Sequence, residues 1–145
     1  MFSKVVSLIC FSMIAFSSVA HAQAIADLTL GTYKMTSGDD DLCSDFEIAK
    51  RDLKSKTLTV GTDIMPLKNE DIKMQSDLDD NCEFTQNNSR TDDSSSTTLT
   101  RVDKEICQGQ VRSDSTTIVK IKEKEITVTY KKDNRDLGTC VYKTK

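Results

Sequence analysis

Residues 117–131 read TIVKIKEKEITVTYK, and their alternation decides the fold. In Thr117–Lys122, Val119 and Ile121 fall on one face, with Lys120 and Lys122 on the other. In Glu125–Lys131, Ile126, Val128 and Tyr130 oppose Thr127, Thr129 and Lys131. A period of two is the signature of a half-buried strand, because successive side chains point to opposite faces. The two runs flank Glu123-Lys124, so they read as a hairpin.

The same grammar extends outward. Phe46 and Ile48 alternate, a polar turn follows at Arg51–Ser55, and Leu58 and Val60 alternate again. Further strands are expected at Leu30–Thr36, Asp71–Gln75, Cys82–Gln86, Thr97–Asp103, Gly109–Arg112 and Gly138–Lys143. Pro66 is the only proline. The expected fold class is all-β: a single antiparallel meander barrel, or a sandwich, of about 8–10 short strands. Barrel closure would also remove exposed sheet edges. Over Thr62–Asn81, Pro66 could open a helix with Leu67, Met74 and Leu78 on one side. Ile72 and Met74 also alternate, and strand is the favoured reading. Asn87–Thr98 is polar and of low complexity, and is expected to be an exposed flexible loop. Its Asn87-Asn88-Ser89 sequon matters only in a glycosylating eukaryote.

Met1–Ala22 has the features of a secretory signal peptide: Lys4, an apolar run from Val5 to Ala20, and a Val19-Ala20-His21-Ala22 end. Cleavage before Gln23 leaves one domain over residues 23–145, exported to the periplasm or the medium. No other stretch is apolar enough to span a membrane. Losing Lys4 moves the net charge from −3 to −4. A mildly acidic, mixed-sign chain does not suggest a nucleic acid partner.

Cleavage also removes His21, the only histidine, and Cys10. Without histidine, Ser-His-Asp and Cys-His catalysis and His-ligated zinc or copper are excluded from residues 23–145. Ser and Lys are plentiful, but no motif positions a Ser-Lys pair. Cys43, Cys82, Cys107 and Cys140 remain, with no CxxC spacing. In an exported chain with a thin apolar core they read as disulfides, and no metal or cofactor is expected. Four cysteines allow three pairings. We lean to Cys82–Cys107, which closes the shortest loop between neighbours, plus Cys43–Cys140, which ties an early segment to the last strand.

Two acidic groups, Asp39-Asp40-Asp41 with Asp45 and Asp77, Asp79, Asp80 with Glu83, offer oxygens for Ca²⁺. Neither has the EF-hand spacing, and both read as solvated turns. Five aromatics after residue 22 are few for a glycosidase cleft.

Gly31-Thr32-Tyr33 opens the first strand. Here the chain resembles the small lipocalin-like (calycin) barrels of exported proteins, which open with Gly-x-Trp. The resemblance implies that Tyr33 plugs one end and that Arg135 or Lys143 covers it. Otherwise Tyr33 is a half-buried strand residue. The inward set would include Met35, Phe46, Ile48, Leu58, Val60, Val119, Ile121, Ile126 and Val128, around a ligand cavity or a packed core. The expected function is a non-enzymatic exported binding protein, monomeric, for a small apolar ligand. The alternative is an interaction module or inhibitor whose partner is an envelope protein, with Asn87–Thr98 as the candidate contact.

Overall fold

The computed structural model describes residues 31–75 and 81–144. The signal-peptide reading of residues 1–22 lies outside that range, as do Asp77, Asp79 and Asp80. The described residues form ten strands and no helix: β1 (Gly31–Ser37), β2 (Phe46–Asp52), β3 (Thr57–Val60), β4 (Asp63–Pro66), β5 (Glu70–Gln75), β6 (Cys82–Asp92), β7 (Thr97–Cys107), β8 (Gln110–Lys122), β9 (Glu125–Lys132) and β10 (Arg135–Lys143). All pair antiparallel in one sheet, ordered β4-β3-β2-β1-β10-β9-β8-β7-β6-β5. Pairing of β1 with β10 joins the first and last strands, so the sheet is a nearly closed meander barrel.

The diagnostic hairpin forms in the expected register, with Ile121 opposite Ile126 and Val119 opposite Val128. Within residues 62–75 the chain forms two strands, β4 and β5, and no helix. Gly109 falls in the preceding turn, while Gln110–Arg112 and Thr117–Lys122 merge into β8, which bulges where Ile106 pairs with Val111 and Glu105 with Ser113. Two-residue turns at Gln108-Gly109 and Asp133-Asn134 have positive φ at both residues, the conformation that matches strand twist in tight hairpins.

Asn87–Thr98 departs from its expected looseness. Asn87–Asp92 continues β6, Thr97 starts β7, and only residues 93–96 turn. Asn88, Ser96 and Thr97 are buried. Low complexity does not produce a loop here because many of its polar side chains have partners. The Asp93 carboxylate accepts from the Ser95 and Ser96 amides and the Ser96 hydroxyl, while Asp92 accepts from Thr97 and Arg90. These bonds are an Asx turn closing a long hairpin.

One contiguous apolar cluster occupies the interior, including Tyr33, Leu58, Met65, Leu99, Ile121, Ile126, Val128 and Tyr142. Leu58, Val60, Val119, Ile121, Ile126 and Val128 are buried as expected, and Met35 is partly buried. Among the described side chains of β2, Ala49 is buried and Glu47 lies opposite Tyr33. The side chains of Phe46 and Ile48 lie outside the description.

Tyr33 is completely buried, not half-buried. The cover implied by the family resemblance is absent from both named cations. Lys143 pairs with Glu125, and both Lys143 and Arg135 are exposed. Lys143 falls opposite Lys34, one step out of phase with Tyr33, so strand alternation turns it outward.

Cys43–Cys140 and Cys82–Cys107 are disulfides. The first pins the 38–45 loop onto β10, and Leu42 packs against the core from that loop. Gly38 permits the approach: a Cβ there would lie 2.5 Å from Cys43 Sγ.

Candidate functional site

Antiparallel order places the 38–45, 61–62, 108–109 and 133–134 connections at the same end of the barrel. Just inside that end the apolar lining gives way to charge. The inward phase of β7 runs Leu99, Arg101, Asp103, and that of β9 runs Ile126, Val128, Tyr130. Glu47 enters from β2 and Asp63 from the start of β4.

Arg101 organises this group. Its Nε donates to Asp103 Oδ2 at 2.9 Å, Nη1 to the Ile64 carbonyl at 2.9 Å, and Nη2 to Asp63 Oδ1 at 3.3 Å. The Tyr130 hydroxyl donates to the other Asp63 oxygen at 2.8 Å. Burial and the Asp63 carboxylate together push the Tyr130 phenol above its ordinary range. Burial also raises Asp103, although Arg101 opposes that shift. Glu47 is raised first by burial and further by Asp63, against a lowering hydrogen bond to Ser44. The Glu47 carboxylate occupies the space that any side chain at Gly61 would need.

These contacts complete the barrel where backbone pairing stops. β4 and β5 are the two edges, and β4 packs against β6 and β7 instead of pairing with β5. The expected absence of edges is therefore corrected: the seam is closed by side chains. Arg101 takes the Ile64 carbonyl and Arg90 reaches the Leu67 carbonyl at 3.4 Å. Pro66 has no N–H to offer a further strand, which suits it to an edge. The cluster's donors and acceptors are thus engaged in holding β4, β7 and β9 together.

Past this cluster, β6, β7 and β8 run on as a long arm. It ends at Cys82–Cys107, which bridges directly paired positions of β6 and β7. Two open depressions flank the bridge. One of about 240 Å³ is lined by Asn81, Cys107, Val111 and Arg112. The other, about 360 Å³, is lined by Gln75, Cys82, Glu83 and Ile106. Val111 and Met74 are exposed near this tip.

The four cysteines therefore fall into two separate places, one at the loop end of the core and one at the tip. Asp39, Asp40, Asp41 and Asp45 are exposed and serve the 38–45 loop: the Asp39 side chain accepts from the Asp41 amide, and the Asp45 carbonyl accepts from Met35. Glu47, Asp63, Arg101, Asp103 and Tyr130 were not singled out by sequence reasoning. Their signal is charge on the inward phase of a strand, as in Leu99-x-Arg101-x-Asp103. No protein-family model, curated protein or solved structure matches the chain.

Proposed function

We propose that the chain is an exported, non-enzymatic binding protein that recognises a protein partner through the disulfide-pinned tip of its β6–β8 arm. The observation that carries this reading is the contiguous buried apolar cluster in the interior, which includes both Tyr33 and Tyr142. Bulky side chains there favour a packed core over a ligand chamber, which moves recognition to the surface. The Arg101 cluster is committed to closing the seam, so it supports the scaffold. The tip combines exposed Val111 and Met74 with two concave flanks, the mix of apolar contact and shape that interfaces use. The two disulfides suit an oxidising compartment, periplasmic or extracellular.

A titration of the native, oxidised protein with an apolar fluorescent dye separates the two binding modes. A packed core gives no saturable enhancement. Stoichiometric enhancement, abolished by filling the interior with Ala49→Phe in a folded variant, would favour a small apolar ligand instead.

A further inference from the structure

The two disulfides lie in opposite surroundings. Cys43 and Cys140 are both buried in the core cluster, with Gly38 against the sulfur. Cys107 is partly exposed, and depressions open on both sides of its bridge to Cys82. A thiol reductant therefore reaches the tip bridge first.

The same place holds a third ligand type. Cys82 Sγ, Cys107 Sγ and a Glu105 carboxylate oxygen all lie within 4.8 Å of one another. Zinc holds sulfur at about 2.3 Å and carboxylate oxygen at about 2.0–2.2 Å, so two ligands of one tetrahedral ion lie about 3.5–3.8 Å apart. Cutting the bond lets the two sulfurs separate to that spacing, with the Glu105 oxygen already beside them. The β6–β7 ladder pairs residue with residue from Cys82–Cys107 to Asp92–Thr97. That ladder keeps the two cysteines opposed after the bond is cut. Arg112 Nη1 lies 4.0 Å from Cys107 Sγ.

We propose that the tip is a redox-gated metal site: reduction of Cys82–Cys107 frees two thiolates that, with Glu105, bind a thiophilic divalent cation of the zinc class. The step balances as thiol–disulfide exchange. An external thiolate attacks Cys107 Sγ, the S–S bond breaks, and Cys82 departs as thiolate. A second external thiol resolves the mixed disulfide. The protein gains two electrons and two protons, and the reductant leaves as its own disulfide. The cation then displaces the two thiol protons, and water takes the fourth position.

Co²⁺ is the probe, because tetrahedral thiolate ligation gives intense charge-transfer and visible bands. The full chain is titrated oxidised and after mild thiol reduction, with alkylation mapping of the freed cysteines. The expected result is one Co²⁺ per chain in the reduced protein alone, bleached by Zn²⁺, with Cys82 and Cys107 alkylated and Cys43–Cys140 intact. Glu105→Gln should weaken Co²⁺ by at least the roughly 10-fold loss seen for groups that only touch a metal's ligands. Circular dichroism of the reduced protein checks that the fold persists. This partly exposed carboxylate keeps the test valid even if cysteine variants do not fold. The proposal is overturned by a reduced, folded protein without thiolate–Co²⁺ bands, by Glu105→Gln binding Co²⁺ as tightly, or by Cys43–Cys140 opening first.

Discussion

Arg101 uses its guanidinium to join three partners, two carboxylates and the edge carbonyl of Ile64. Its side chain and those of Asp63 and Asp103 are 21%, 15% and 19% exposed, between a surface pair and a buried one. Arg101→Met should therefore cost about 1–3 kcal/mol in urea unfolding, more than the ~0–1 kcal/mol of a surface pair and less than a fully buried one. Lys68→Met, which breaks an exposed pair with Glu70, should change little by the same measurement. Titration adds a second residue-scale test. Glu47 and Asp103 are raised in the fold, so they favour folding at low pH and lose that contribution as pH rises through their folded values. Asp93, held at about 2 by the Ser96 and Ser95 donors, and Asp52, lowered by Ser55 and Lys54, act in reverse. Their contribution is lost as pH falls below the usual carboxylate range. Stability measured by urea unfolding should peak in mild acid, near roughly pH 4–5, and decline on both sides. Glu47→Gln should raise stability at neutral pH and flatten the alkaline side of the curve. A loss of stability at neutral pH would contradict the burial account of Glu47.

Among the elements, the turns differ in what their glycines must satisfy. Gly61 has φ of 61° and the Glu47 carboxylate sits where its Cβ would be, whereas Gly109 has φ of 78° with open space around it. Gly109→Ala should cost only the left-handed backbone term of about 1–2 kcal/mol. Gly61→Ala should lower the thermal midpoint further, because it must also displace Glu47. Equal losses would show that the carboxylate moves freely. Strand positions were largely legible in the sequence because alternation in 117–131 reports directly on a half-buried sheet. The seam was not legible. β4 and β5 are short, and their phase says nothing about which strand lies alongside. Asn87–Thr98 misled because polar composition resembles a loop until the Asp93 and Asp92 bonds are seen. The tip site was hidden for a similar reason. Cys82, Glu105 and Cys107 meet only through the β6–β7 register, which spacing alone does not reveal.

For the whole molecule, the two bridges constrain very different lengths of chain, 97 and 25 residues apart in sequence. Loop-closure entropy assigns about 4.7 kcal/mol to a loop near 100 residues and roughly 3.5 kcal/mol to one near 25. Cys43–Cys140 also sits in the core, so its replacement by alanines adds lost packing. That variant should unfold at a clearly lower denaturant midpoint than the Cys82/Cys107 variant, and the reverse order would place the weight of the fold in the arm. The same division underlies the functional reading: a barrel locked by its core and seam, with recognition at the outlying tip. The most direct measurement is site-specific photocrosslinking in the living host, with the probe at Val111 on the tip and, as control, at Leu53 on the opposite end. Both residues are exposed. The account requires a discrete protein adduct from Val111 and none from Leu53. Adducts from Leu53 alone, or a small apolar ligand retained inside the barrel with no adduct at Val111, would contradict it.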